Sequence, residues 1–153
     1  MEVPTNWMIS YDPGNVSAYA EWSNGRLSKA RLGRPPLNRF YDVAVTEKPI
    51  VYPYSPIPPN DICTLRDDMS DFLARCAPDS VVVKYEPREW KGQVPKPKRG
   101  ETWDSYIIHK RVSRALDGVE LALYMEALEV VPVAQRHNIV DAVGIGLKYL
   151  RRM

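Results

Sequence analysis

Three acids stand where chemistry can use them. Asp12 closes a run of strand-forming residues, 7–12, and precedes Pro13-Gly14. Glu47 closes a second such run, 42–46, and precedes Lys48-Pro49. Asp141 sits between Val140 and Ala142 in the first turns of the last helical segment, with His137 four residues and Asn138 three residues before it. On a helix, those offsets allow His137 and Asn138 to share the face of Asp141. Each acid also has an ordinary use. Asp-Pro-Gly is turn chemistry, a strand-end Glu is commonly solvated, and a helical Asp amid apolar residues can be a paired structural acid. What lifts them above those uses is convergence, because two strand ends and one covering helix can meet at one edge of a sheet. Buried carboxylates repel unless compensated. Hard divalent cations compensate them naturally, and Mg²⁺ prefers carboxylates, waters and phosphate oxygens. Two such ions about 4 Å apart clamp the attacking and leaving oxygens of a phosphodiester. No thiolate or histidine cluster suggests zinc.

The elements that must position these acids follow from hydropathy patterning. Strands are expected over 7–12, 17–22 and 26–33, the last two joined by the hairpin dipeptide Asn24-Gly25. Residues 42–46 and 80–85 are two further strands. Asn60 or Asp61 caps a helix to about residue 76, with Ile62, Leu65, Met69, Phe72 and Leu73 at helical spacing. Residues 87–101 read as a Pro/Lys/Gly loop. Thr102 or Asp104 opens a helix with Ile108, Val112, Ala115 and Val119 on one side, bent or divided at Asp117-Gly118, and 133–150 form the last helix. This order predicts one α/β domain over 1–153 with a mixed sheet.

The chain has 153 residues, and its hydrophobic content of 44% excludes a disordered chain. No apolar run is long enough for a membrane helix. The opening residues MEVPTNWMIS show neither a basic nor an apolar leader segment, so no export signal is expected. Cys63 and Cys76 then read as reduced thiols of a cytoplasmic protein. The net charge of +2 hides a strong asymmetry. Residues 26–39 carry Arg26, Lys29, Arg31, Arg34 and Arg39 and no acid. Residues 84–114 carry nine basic residues against four acids, whereas 115–141 carry five acids against Arg136 alone. Taken alone, a basic tract is most simply a solvated face. Seven of the 14 prolines lie between 35 and 59, around Glu47.

Four segments resemble one family. Ile9-Ser10-Tyr11-Asp12-Pro13-Gly14-Asn15 resembles the first-strand motif of the RuvC family of Holliday junction resolvases. Thr46-Glu47-Lys48-Pro49, continuing to Val51-Tyr52-Pro53, resembles the second acidic strand of phage RuvC-like enzymes. Trp90-Lys91-Gly92, followed by Pro95-Lys96, resembles their Trp-Lys-Gly…Pro-Lys loop. Residues 137–147, with Asp141-Ala142 and the small residues Gly144 and Gly146, resemble their final helix. The order is right, and the motifs span roughly 9–147.

The resemblance implies an RNase H-like fold with a five-stranded mixed sheet flanked by helices. It implies a homodimer that cuts four-way or otherwise branched DNA with two Mg²⁺ (or Mn²⁺) ions per active site. Asp12, Glu47 and Asp141 match the acidic ligands, and His137 would act as general base or deliver a proton. Trp90, Lys91, Lys96, Lys98 and Arg99 would form the DNA-binding loop, Trp90 by packing under it or by stacking on an unpaired base. There are two departures from the family. The helix usually found before Glu47 has no room, since about a dozen residues separate the third strand from it. Asn138 stands where relatives carry Asp or His. There His137 takes over, or the second metal binds loosely, or an inactivating substitution is present. Glu86 is a rival for the second acid, disfavoured because it follows the later strand. The phage-like loop and compact length favour a viral origin, which would place the protein in the host cytoplasm. The alternatives are another RNase H-like nuclease, acting on flaps or RNA–DNA hybrids, and a catalytically weak structure-specific DNA-binding protein.

Overall fold

The Asn24-Gly25 dipeptide builds the first hairpin. Both residues have positive φ, 51° and 79°, as the two central positions of a type I′ turn require. In the computed structural model, which describes residues 7–14, 16–37, 40–49, 59–92, 103 and 106–153, this turn joins β2 (Ala18–Ser23) to β3 (Arg26–Leu32). β1 (Trp7–Asp12) pairs antiparallel with β2. β4 (Val43–Glu47) pairs parallel with β1, and β5 (Val81–Tyr85) parallel with β4. The sheet order is β3-β2-β1-β4-β5. The chain is therefore an α/β protein with a five-stranded mixed sheet.

The helices are α1 (Pro59–Cys76), α2 (Pro87–Lys91), α3 (Ile107–Ala115), α4 (Gly118–Glu129) and α5 (Arg136–Tyr149). Three of them refine the sequence reading. The segment read as a loop from 87 begins as α2. Pro87 suits a first helical turn, and the Glu89 carboxylate reaches back to accept from the Glu86 backbone N–H at 3.1 Å. The Asp117-Gly118 pair divides α3 from α4. Asp117 caps α4 by accepting from Glu120 N at 2.9 Å, and the Glu120 carboxylate accepts from Asp117 N at 3.2 Å. The division rotates Val119 off the apolar side of Ile108 and Val112, leaving it 75% exposed. The last helical segment starts as a 3₁₀ turn, Val133–Gln135, before α5. Residues 33–37 and 40–42 form no helix before β4, as the short spacing implied. The expected caps Thr102 and Asp104 lie outside the described residues, as does the proline-rich segment 50–58.

Strand alternation sends side chains to two cores. Met8, Ala18, Ala20, Trp22, Val43 and Val45 face α3, α4 and α5. Ile9, Tyr11, Tyr19 and Ala44 face the opposite side, where Phe72 and Cys76 of α1 cover them. Tyr11 and Phe72 stack with ring centroids 4.0 Å apart.

The helix that matters most is α5. It lies against β1, β2, β3 and β4, and residues 138–147 are buried. Ser10 on β1 donates its hydroxyl to the Ala142 carbonyl at 2.6 Å and accepts the Trp22 indole N–H at 2.9 Å. Glycine permits this approach. A Cβ on Gly146 would lie 2.5 Å from Trp22 Nε1. Gly146→Ala gains helix propensity of about 1 kcal/mol but forces the indole off Ser10, and overpacking typically costs about 1–3 kcal/mol. The expected result is net destabilisation in urea titration. A more stable variant would show that α5 has slack against the sheet.

The C-terminal residues are held by a buried charge. Glu120 is 2% exposed. It accepts from Arg152 at 2.6 and 2.8 Å and from Leu27 N at 2.7 Å. Arg152 also donates to the carbonyls of Gly25 and Ala115. Burial alone would raise the Glu120 carboxyl, but the Arg152 and Leu27 hydrogen bonds and the nearby guanidinium charges outweigh it and hold it below its ordinary 4.5. A depressed carboxyl stabilises the fold above its unfolded value and loses that contribution as pH falls through the folded one. Arg152→Ala should therefore cost about 2–3 kcal/mol, somewhat below the full penalty for breaking a buried pair because Arg152 keeps partial solvent contact. It should also flatten the loss of thermal stability below about pH 4.5. Both are read from Tm against pH.

Candidate active site

The same alternation that fills the α5-side core delivers the acids. Asp12 follows Met8 and Ser10 on the α5 face of β1, and Glu47 follows Val43 and Val45 on the α5 face of β4. These strands are parallel neighbours, with Tyr11 opposite Thr46. Asp12 and Glu47 are the next residues, so both carboxylates leave the carboxyl ends of the two central strands on one face. Asp141 is carried in by α5, one residue before the carbonyl that Ser10 holds. Asp12 is 7% and Asp141 3% exposed, and Glu47 is half-buried.

Three side chains missed by the sequence reading, or given other roles in it, organise this edge. Tyr106, the N-cap residue of α3, donates its hydroxyl to Asp141 Oδ1 at 2.8 Å. Burial pushes this phenol far above its ordinary 10, and the charges of Asp141, Asp12 and Glu47 add to the effect. The charges of all three acids thus act on one hydroxyl. Tyr106 is 35 residues from Asp141 in sequence, and no local pattern marks it. Trp90 donates its indole N–H to Glu47 Oε2 at 2.8 Å. The residue is 5% exposed and its ring lies against Gly144 of α5, so it presents no open face to a base. Lys91 is mostly buried, with Nζ 3.9 Å from Asp141 Oδ2 and 5.2 Å from the Trp90 ring centre. Its ammonium thus faces the acidic edge.

The other expected site residues fall as follows. Asn138 is buried and His137 half-buried on the first turn of α5, ahead of Asp141. Glu86 follows β5 and is the N-cap residue of α2. Lys96, Lys98 and Arg99 lie outside the described residues. Among the described residues, no group of three or more His, Cys, Asp or Glu is gathered closely enough to hold a metal ion as it stands. The donor chemistry nonetheless suits a hard cation, since all three acids offer oxygen. A bound ion would have to draw the carboxylates closer together than they stand.

On the opposite face, α1 steadies the Asp12 turn. Asp68 Oδ2 accepts from the Tyr11 hydroxyl at 2.7 Å and from Gly14 N at 2.9 Å, so one carboxylate grips both sides of Asp12-Pro13. Arg34 holds Asp68 through Oδ1, with Nε at 3.1 Å, and also pairs with Asp71.

No family model matches the chain, and no curated protein matches it.

Asp68→Ala leaves the Tyr11 hydroxyl, the Gly14 amide and the Arg34 guanidinium without their shared acceptor. Unsatisfied groups of this kind cost about 1–3 kcal/mol. The expected signature is faster hydrogen exchange at the Gly14 amide together with a lowered urea midpoint. Unchanged exchange at Gly14 would show that the turn holds itself.

Proposed function

We propose that the chain is a divalent-cation-dependent, structure-specific endonuclease of the RuvC-like Holliday junction resolvase type, with an RNase H-like fold. It hydrolyses phosphodiesters in branched DNA and leaves 5′-phosphate and 3′-hydroxyl ends. The observation that carries this reading is the placing of Asp12 and Glu47 at the carboxyl ends of the parallel neighbours β1 and β4, on the sheet face that α5 covers with Asp141 buried in it. The strand order β3-β2-β1-β4-β5, antiparallel then parallel about β1, supports the RNase H-like assignment.

Asp12, Glu47 and Asp141 would hold two Mg²⁺ or Mn²⁺ ions, with Asn138 as a neutral oxygen donor nearby. When bound, such ions supply an activated water and stabilise charge on the attacking and leaving oxygens. The protein's own part is positional and electrostatic. Trp90 orients Glu47, Tyr106 orients Asp141, and Lys91 brings a positive charge to the edge where a phosphate would sit. His137, one turn before Asp141 on α5, would take or deliver a proton. The basic tract through Lys96, Lys98 and Arg99 would neutralise phosphates, giving salt-sensitive affinity without sequence information. A four-way junction presents two symmetric strands, which suits a homodimer with two sites.

A second reading has its own observations. Asn138 and the loosely gathered carboxylates favour a structure-specific DNA-binding protein with weak catalysis. A flap or hybrid nuclease would use the same acids without needing a dimer.

Cleavage of four-way junctions, flaps and RNA–DNA hybrids at equal concentration, with Mg²⁺ or Mn²⁺, separates the three. The resolvase reading expects preferential junction cutting. Asp12→Asn, Glu47→Gln and Asp141→Asn should each lower it by at least about a hundredfold, since several kcal/mol of charge stabilisation is lost, while junction binding persists. Equal cutting of all three substrates sinks the junction assignment. Junction binding with no cation-dependent cutting favours the binding protein.

A further inference from the structure

We propose that Trp90 is a positioning residue: its indole is the spacer that sets the separation of Glu47 on β4 from Asp141 on α5, and Gly144 is the recess that admits it. This rests on the reading of Glu47 and Asp141 as cation ligands.

One ring touches both elements. Its N–H edge is bonded to Glu47 Oε2 at 2.8 Å. Its benzo edge lies against α5 at Gly144, where a Cβ would come within 2.7 Å of Cζ3 and 3.5 Å of Cε3. Gly144 is three residues beyond Asp141, so the two share a helix face. The ring is therefore wedged between the strand end that carries one acid and the helix face that carries the other. Neither wall yields easily. The Ser10–Ala142 hydrogen bond holds α5 to β1, and β4 is bonded into the sheet on both sides. Close-packed surroundings transmit such a displacement and do not absorb it. The choice of tryptophan also has a reason. A phenylalanine would fill part of the space but has no N–H for Glu47, and a hydrogen bond to a carboxylate is stronger and more directional than one between neutral groups. Lys91, next in sequence, sets its ammonium between the ring face and Asp141, so α2 addresses both acids from one turn.

The test compares Trp90→Phe, Gly144→Ala and the double variant with the wild-type chain. The measurements are Mn²⁺ affinity by titration calorimetry, kcat and KM for junction cleavage, and the indole N–H resonance of Trp90, identified as the one lost in Trp90→Phe. Gly144→Ala keeps every donor and acceptor. It should nonetheless shift the Trp90 indole resonance, weaken Mn²⁺ binding about 10–100-fold, and lower kcat more than it raises KM. Trp90→Phe should weaken Mn²⁺ binding in a folded protein. The double variant should recover part of the affinity lost in Gly144→Ala, because the smaller ring vacates the space the new methyl needs. A purely structural ring would instead lower Tm with Mn²⁺ affinity unchanged. Wild-type Mn²⁺ affinity and an unmoved indole resonance in Gly144→Ala overturn the proposal. If Trp90→Phe fails to fold, Gly144→Ala alone decides. If the wild-type chain neither binds Mn²⁺ nor cuts junctions, the nuclease reading fails, and the indole resonance in Gly144→Ala still decides whether the ring is a spacer.

Discussion

One buried hydroxyl joins the two halves of the candidate site. Ser10 on β1 donates to the Ala142 carbonyl on α5 and accepts the Trp22 indole from β2. Asp12 lies two residues beyond Ser10 on the same strand face, and Asp141 directly precedes Ala142. A single hydrogen-bond chain therefore fixes the helix that carries one acid against the strand that carries another. The contact depends on closeness, and closeness depends on missing side chains. Gly146 meets Trp22 and Gly144 meets Trp90 with no room for a methyl group. Two glycines in a helix interior sacrifice propensity, and the surface they expose is filled by two indoles.

Two buried acids on this side of the sheet show different electrostatic solutions. Glu120 is matched by the Arg152 guanidinium, which donates to both its oxygens, and by a backbone amide. That arrangement is closed and serves to anchor the C-terminal residues. Asp141 receives a neutral phenol and an ammonium 3.9 Å away, and Glu47 receives an indole N–H. Neutral donors orient a carboxylate without cancelling its charge. The Glu120 charge, by contrast, is matched directly by a guanidinium.

Much of the fold was legible from pattern. The five strands, the Asn24-Gly25 turn and the division at Asp117-Gly118 follow from period-2 alternation, a turn dipeptide and a capping pair, all local signals. α2 was legible in principle, since Glu86-Pro87 followed by Glu89 is a helix start, but the surrounding prolines and lysines outweighed it. Val119 went astray because helical spacing extrapolated across a break that changes the helix axis. The acids themselves could be picked out by position, at strand ends and on an apolar helix face.

Their partners could not. Tyr106 with Asp141, Trp90 with Glu47 and Asp68 with Gly14 are separated by 35, 43 and 54 residues, and no short-range periodicity encodes such pairs. By itself the sequence determined which residues alternate inward, where turns and caps fall, and which strand ends carry carboxylates, because those properties depend on neighbours in the chain. Only the tertiary structure decided that β4 lies beside β1, that Gly144 and Gly146 receive indoles, and that Lys91 turns in toward Asp141. Those outcomes depend on which surfaces remain to be buried once every element has formed.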